Sequence, residues 1–438
     1  MLIAKFWESF LKSKLTKRKF INLLITNLKK KWAKNIIFKN AYLEINENID
    51  PQTIANTFWI QKVEIVSKYT FWENPVEEIL NKVANKIEEI LKANKIKSFR
   101  VSAKREYKNF PLNSLELQQV IWKKIEEKFN IKANYKQFDL EIKIKILKNS
   151  FLIWTNFDEI QWLWGLPYWI EWKALNLFSW WIDSPVATFL SAKRWIKQDF
   201  LFLNIPSSDL LLQQVFKIYT FLKNQYQIEW NFYEIKIWEY IKEIKKKIPA
   251  WTRQIIFKFF LYKLADKFAN FLKVPAIITW ENLWQVSTQT LTNLALLDKI
   301  SNKLILRPLI TFDKIETIKI AKDIWTYNLS TCIRETCSLE SHSNSKFTDF
   351  EKLQKLYNSL QFNEDEIINW VKKIEKIQYF DFEKIKTNKP IWEVIDLSKN
   401  SDFKLDKNKT YTFKCFSWYQ ASQKAYEYSK QWFKVYRM

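Results

Sequence analysis

The chain has 438 residues, with 71 Lys and Arg against 47 Asp and Glu, a formal net charge of +24 and a pI near 9.5. That length suits about three domains, and the charge makes a polyanion such as RNA the expected partner, although codon bias, read from abundant Asn, Ile, Lys and Phe, explains part of it. Three cysteines exclude a disulfide scaffold and point to a reducing compartment. There is no uninterrupted apolar run of about 18 residues to span a membrane, and Met1 to Phe10, which includes Glu8, lacks a signal-peptide core. A cytoplasmic location with no membrane partner is expected.

Thr16 to Lys31 reads as a basic helix beside strand-like runs at Asn35 to Phe38 and Ala41 to Ile45, a small α+β module. Asn74-Pro75-Val76-Glu77 opens a second helix, since Asn caps, Pro suits the first turn and Glu77 stands at the capping-box position. Val76, Ile79, Leu80, Val83, Ile87, Ile90 and Leu91 then recur at helical spacing as a core-facing stripe. Lys97 to Arg105 is a cation-rich strand, and Phe138 to Ile146 alternates apolar with charged residues, which predicts one buried and one wet face. A one-sided antiparallel sheet with a basic outer surface follows, either an RNA platform or simply a solvated face. From Leu163 onward, apolar strands at Ala174 to Phe178, Phe200 to Ile205, Ala276 to Thr279 and Leu304 to Leu306 alternate with helical segments, predicting an open parallel α/β sheet with its ligand at the strand C-termini. Past a polar linker at Lys384 to Lys389, short strands at Val394 to Leu397, Thr410 to Lys414 and Lys434 to Tyr436 surround a helix near 420–431.

One Gly stands against 23 Trp, whereas ordinary usage puts glycine at about 7%, or roughly 30 residues in such a chain. Trp195 and Trp432 follow helical runs, where a left-handed residue is commonly needed. Trp180 and Trp181 lie in Ser179-Trp180-Trp181-Ile182-Asp183-Ser184-Pro185, between a buried strand and a helix; a cradle of backbone N–H groups cannot form around two indoles. The expectation is that the gene belongs to a lineage decoding UGA as glycine, so that Trp stands where the native chain has Gly. The alternative is a truly tryptophan-rich protein whose glycine-dependent motifs are broken.

With glycine at those positions, 179–185 becomes SGGIDSP and resembles the pyrophosphate-binding loop of ATP-pyrophosphatases that adenylate a substrate. Over nearly its whole length the chain then resembles the tRNA 4-thiouridine synthetase family. The motifs that carry the resemblance run in order: Phe6-Trp7-Glu8 with Leu11-Lys12 and Phe20; Phe99-Arg100-Val101 with Lys104-Arg105 and Phe110-Pro111; Gly165-Leu166-Pro167-Tyr168-Trp169; Thr279 to Thr290, read as TGENLGQVSTQT; Leu306-Arg307-Pro308-Leu309-Ile310 with Asp313, Lys314 and Glu316; and Cys415 to Ser422, read as CFSGYQAS. The resemblance implies an α/β multidomain protein: an N-terminal ferredoxin-like α+β domain at 1–60, a THUMP RNA-binding domain at 61–165, an open parallel-sheet PP-loop ATP-pyrophosphatase domain at 166–385, and a truncated rhodanese-like α/β remnant at 386–438. The last, about fifty residues, falls below the usual lower size of an independent domain.

What the resemblance implies chemically is ATP-dependent transfer of persulfide sulfur to a uridine of tRNA, with ATP and Mg2+ as cofactors. Ser179, Trp180, Trp181 and Ser184 would wrap the phosphates at a helix N-terminus, and Asp183 would organise the metal and the reacting phosphate. Leu177, Phe178, Leu201, Phe202, Lys258, Trp280 and Gln289 fall on nucleotide-contact positions, Lys314 on phosphate or RNA handling, and Arg100, Lys104 and Arg105 on RNA binding. A cysteine desulfurase would load Cys415, and Cys337 would resolve the exchange through a disulfide with Cys415. Sulfur delivery to a carrier protein for the thiamine thiazole is a second role in the family. A non-enzymatic tRNA-binding protein is the reading if Trp180 and Trp181 are real. Cys332 and Cys337, with a third thiol, are an alternative iron–sulfur set, and the lone His342 reads as a surface residue. No zinc pattern occurs.

Overall fold

The computed structural model describes residues 1–6, 13–39, 42–161, 165, 173–194, 196–226, 230–331, 349–377, 379, 393–397, 405–406, 408–414, 418–429, 431 and 434–437. It divides into two units, Met1–Tyr168 and Trp169–Met438. The first unit holds two sheets. One is antiparallel, in the order Glu159–Gln161, Ile60–Ile65, Leu2–Phe6, Tyr42–Ile45, Ile36–Lys39. The basic helix forms at Lys14–Lys30, where Ser13 caps the Thr16 amide and Phe20, Leu24 and Leu28 are buried.

The second sheet runs Ser67–Thr70, Ser150–Thr155, Leu140–Ile146, Ser98–Arg105, Lys132–Ala133. Helices Pro75–Ala93 and Ser114–Phe129 contribute Ile79, Val83, Ile87, Leu117, Ile121 and Ile125 to its core. Asn74 caps the first as expected, but Glu77 bonds only the Asn74 side chain, and Glu78 takes the Trp72 and Glu73 amides instead. The expected antiparallel sheet is corrected at its centre: Ser98–Arg105 and Leu140–Ile146 pair in parallel. The reason is topological, because the Ser114–Phe129 helix lies between them in sequence and supplies the crossover that a parallel pair requires.

The wet charged face is corrected too. Glu141 is buried, and Arg100, Ser102 and Lys143 all converge on its carboxylate. Lys143 also pairs with Glu159 from the edge of the other sheet, and Glu159 pairs with Lys62 at 3.0 Å. Alternation correctly separated apolar from charged positions; it could not reveal that the charged face is covered by a neutralising network.

The second unit is built on a six-stranded sheet in the order Leu304–Leu306, Ala276–Ile278, Lys173–Phe178, Lys197–Asn204, Asn231–Lys236, Lys372–Ile374. The first five strands are parallel and the last is antiparallel. Helix Arg253–Phe271 packs Ile256, Phe259, Phe260, Leu264 and Phe268 into the largest core. The strands Asn231–Lys236 and Lys372–Ile374 were not foreseen, because Glu234 and the two lysines interrupt the apolar signal. A small parallel sheet, Glu393–Asp396, Thr410–Lys414 and Lys434–Arg437, carries the helix Trp418–Ser429 as read from sequence. Its core is Tyr411, Phe413, Ala421, Ala425 and Val435. It docks on helix Asp209–Tyr226, where the buried Gln213 Nε2 donates to the Tyr426 hydroxyl at 3.1 Å.

Backbone geometry bears on the tryptophan anomaly. Among the described residues eight non-glycine residues have positive φ, and four are Trp32 (72°), Trp59 (83°), Trp284 (63°) and Trp325 (58°). Trp32 and Trp325 each follow a helix C-cap. At the first, the Trp32 and Ala33 amides donate to Lys29 and Leu28 carbonyls; at the second, the Trp325 and Thr326 amides donate to Lys322 and Ala321. Both are complete Schellman motifs, whose left-handed position is the natural place of glycine. The Ile196 amide likewise closes onto Ser191 after helix Asp183–Lys193, with Trp195 itself outside the described residues.

A left-handed conformation costs a residue with a Cβ about 1–2 kcal/mol. Trp32→Gly and Trp325→Gly should therefore each raise stability by about 1 kcal/mol, read as a higher urea midpoint at unchanged m-value. The same change at Trp72, exposed and outside the positive-φ set, should bring no gain.

Candidate active site

Strand order reverses around Lys173–Phe178: Lys197–Asn204 lies on one side and Ala276–Ile278 on the other. The loops leaving these strands therefore diverge and open a crevice at the carboxyl edge, the usual ligand position in such sheets. Two segments line it, 179–183 after the first strand and 279–290 after Ala276–Ile278.

Helix Asp183–Lys193 starts at the end of the first segment with no side-chain cap, Ile182 occupying the N-cap position. Its first-turn amides and dipole favour an anion. In the sequence as written, however, the segment is closed on itself. Ser179 N–H donates to Ser184 Oγ at 2.9 Å and Ser184 N–H to the Trp181 carbonyl at 3.0 Å. Trp180 is buried, and its ring stacks on Trp181 with centroids 6.0 Å apart. The expected cradle of amides is not formed, and two indoles are the reason.

Asp183 and Lys314, distant in sequence, meet here. The Lys314 ammonium lies 3.0 and 2.8 Å from the two Asp183 oxygens. Lys314 begins helix Lys314–Asp323, which Asp313 and Glu316 start with a full capping box. A cation at a helix N-terminus opposes the dipole, so its placement is explained by the buried carboxylate it faces. Gln285 Nε2 approaches Asp183 Oδ2 at 3.5 Å, and Asn282 Nδ2 donates to both Gln285 Oε1 and the Phe312 carbonyl.

Leu177, Phe178, Leu201 and Phe202 are buried in register, Leu177 beside Leu201 and Phe178 beside Phe202. Their side chains are core, Phe178 meeting Phe200 edge to face at 4.9 Å, so any ligand contact there is made by backbone. Trp280 is half-buried at the edge of the largest core. Gln289 is buried, with its amide on Val286 and its carbonyl accepting from Trp284 N–H. Among the described residues Ser179 Oγ, Asn282 Oδ1 and Gln289 Oε1 are buried polar atoms without a hydrogen-bond partner. Orphaned polar atoms also occur elsewhere, as at Thr57 and Ser330, but these three lie on the two segments that flank one crevice, where a polar ligand would satisfy them.

The feature that sequence reasoning missed is Glu281. Its buried carboxylate receives Lys258 Nζ at 2.6 Å, Arg307 Nε at 3.0 Å, Thr279 Oγ1 at 3.2 Å and the Tyr262 hydroxyl. Arg307 further donates to the Tyr262 oxygen at 2.8 Å and forks onto Asp298. The signal was present: charged residues stand just past two adjacent apolar strands, Glu281 after Ala276–Ile278 and Arg307 after Leu304–Leu306.

Other expected residues fall elsewhere. Arg100 is spent on Glu141 and also lies over the Phe138 ring, Arg105 donates to the Phe110 and Leu112 carbonyls at 3.2 Å each, and Lys104 is exposed. Cys332, Cys337, His342 and Cys415 lie outside the described residues. Among the described residues no group of three or more His, Cys, Asp or Glu is placed to hold a metal, and no helix is long and apolar enough to cross a membrane.

Burial alone would raise the Glu281 carboxyl, but Lys258, Arg307 and its hydrogen bonds hold it down at about 2. A carboxylate depressed in the folded state contributes stability above its unfolded pKa and loses it as pH falls toward the folded value. Stability should thus decline between about pH 5 and pH 2, and Glu281→Gln should cost about 3 kcal/mol at pH 7 by stranding buried cations while flattening that acid limb. Urea titrations of both proteins across the range check it.

Comparison with known proteins agrees with this architecture. The family model described as "Thiamine biosynthesis protein (ThiI)" matches residues 170–362 and that of the THUMP domain matches 73–156. The probable tRNA sulfurtransferase of Methanocaldococcus jannaschii is 31% identical over 347 residues, covering 75% of this chain and 89% of the relative. That of Mycoplasmopsis agalactiae is 32% identical, covering 66% and 76%. A crystal structure of a 4-thiouridine synthetase–RNA complex with bound ATP superposes with a TM-score of 0.72 at 24% identity, covering 85% of this chain and 99% of that one. The shared fold, the ordered motifs and relatives matched over most of their length lead to one conclusion: the chain belongs to the tRNA sulfurtransferase family.

Proposed function

We propose that the protein uses ATP to activate a tRNA uridine and replaces the O4 oxygen by sulfur, giving 4-thiouridine. The observation that carries this is the uncapped N-terminus of helix Asp183–Lys193 at the sheet's switch point, with Asp183, Lys314 and three orphaned polar atoms around it. Uridine O4 is a poor leaving group; attack on the α-phosphate releases pyrophosphate and leaves O4 as part of AMP. A terminal persulfide sulfur on Cys415 then attacks C4, AMP departs with the oxygen, and the Cys337 thiolate attacks Cys415 sulfur to free the thiouridine and leave a disulfide, which an external dithiol reduces. The basic first unit supplies the tRNA contact, and a cysteine desulfurase supplies the persulfide. Mg2+ would accompany the ATP phosphates, with Asp183 the carboxylate that fits it.

The loop conformation required for this chemistry is one glycine adopts and tryptophan does not, and the left-handed Trp positions support the same substitution across the chain. We therefore read Trp180 and Trp181 as glycine in the native protein. Delivery of the same sulfur to a thiamine carrier protein uses the same thiol and is told apart by labelling the carrier's C-terminus.

Purified protein with glycine at 180 and 181, given ATP, tRNA, cysteine and a desulfurase, should form 4-thiouridine, followed by its near-ultraviolet absorbance and by nucleoside mass spectrometry. Asp183→Asn and Lys314→Ala should each lower the rate at least about 100-fold by removing charge from the phosphate site, and Cys415→Ser should abolish transfer while sparing ATP binding. The chain carrying both tryptophans should not bind ATP yet should retain salt-dependent tRNA binding. No thiolation with glycine in place would end the enzyme reading.

A further inference from the structure

We infer that Glu281 is a positioning residue for the nucleotide, acting through Lys258 and through the segment that follows it. This rests on the reading of Lys258 as a nucleotide contact. Lys258 belongs to helix Arg253–Phe271, and a lysine's long stem has many conformers. Its ammonium is held by one buried carboxylate, 2.6 Å away, which is itself fixed from the other side by Arg307 and Tyr262. Arg307 is in turn fastened to Asp298. One carboxylate therefore ties helix Arg253–Phe271, the exit of strand Ala276–Ile278 and the exit of strand Leu304–Leu306 into a single arrangement.

The consequence for the crevice follows from adjacency in the chain. Asn282 is the next residue, and its amide orients Gln285 toward Asp183; Gln289 ends the same segment with an orphaned oxygen. Fixing Glu281 therefore fixes the origin of the segment that presents these groups. Its own oxygens are fully engaged by Lys258, Arg307, Thr279 and Tyr262, so Glu281 orients other groups and does not touch the reacting atoms.

The test is steady-state kinetics and direct ATP binding on the full chain with glycine at 180 and 181 for Glu281→Gln, Glu281→Asp, Lys258→Ala and the Lys258→Ala/Glu281→Gln double variant, each checked for folding by circular dichroism. Glu281→Gln should raise the KM for ATP about tenfold with kcat changed less than about threefold and the KM for tRNA unmoved. Lys258→Ala should do the same, and adding Glu281→Gln to it should weaken ATP binding by less than about twofold more, since coupled residues are non-additive. Glu281→Asp, which keeps the charge, should recover part of the loss and serves if Glu281→Gln does not fold. Two independent penalties that multiply in the double variant, or a fall in kcat at unchanged KM, would overturn the proposal. If Lys258→Ala leaves ATP binding intact while Glu281→Gln weakens it, the nucleotide role of Lys258 fails and the coupling with it; if the chain with glycine at 180 and 181 and no further change binds no ATP, the functional reading itself fails.

Discussion

The reversal of strand order around Lys173–Phe178 is the constraint from which the second unit's chemistry follows. Parallel strands on both sides send their connections to opposite faces, and the loops at that one place cannot close over each other. The crevice is thus a property of topology before any side chain is considered. What the sequence adds is a set of polar groups brought to it from separate elements: Asp183 at the start of one helix, Lys314 at the start of another, and Asn282, Gln285 and Gln289 from the segment after Ala276–Ile278. In the same unit lies the Glu281 cluster, where the buried Glu281 and the largely buried Arg307 side chain are each matched by opposite charges, Lys258 and Asp298 completing the set. An unmatched charge at that depth would destabilise the fold by several kcal/mol, so the cluster must be complete whether or not a ligand is bound.

Much of this was legible in the sequence, for reasons that differ by element. Helix Pro75–Ala93 was readable because Asn74, Pro75 and the apolar spacing all agree. The strands Lys173–Phe178 and Lys197–Asn204 were readable because both of their faces are buried, leaving continuous apolar runs. The segment at 179–183 was readable only through its contradiction, a phosphate-loop pattern with indoles in place of glycine. The parallel pairing of Ser98–Arg105 with Leu140–Ile146 was not readable, since alternation gives a strand's faces and says nothing of its partner's direction. Glu281 was overlooked for a related reason: a carboxylate in a polar segment looks solvated until the fold shows that four donors surround it.

The tryptophans join composition to backbone geometry. A count of residues cannot say whether an unusual amino acid is native, but φ is set by sterics and carries its own information. Asn130, Ser207, Lys273 and Gln361 show that non-glycine residues enter the left-handed region in this chain too; all four are polar, and Lys273 closes its helix with the same pair of bonds as Trp32 and Trp325. Tryptophan has no small polar side chain to bond its own backbone as Asn does, and its bulky Cβ substituent crowds the left-handed region. Tryptophan nonetheless holds half of these positions, where glycine or Asn is the residue expected.

The distribution of charge bears on how a polyanion would be held. Arg100, Lys143, Lys258, Arg307 and Lys314 are all paired with carboxylates, and the buried Lys31 is held by the Thr53 and Asn56 carbonyls. The net charge of +24 must therefore be expressed by shallower cations, such as Lys104 and the basic residues of helix Lys14–Lys30, several of which are exposed. Exposed lysines gain little from any single geometry, and their attraction to phosphate is screened within about 10 Å at moderate salt. Binding built this way is broad and salt-dependent, which suits the capture of a large folded RNA. Selection of one atom for chemistry must then come from the crevice, where the charges are few and Asp183, buried, is held by Lys314.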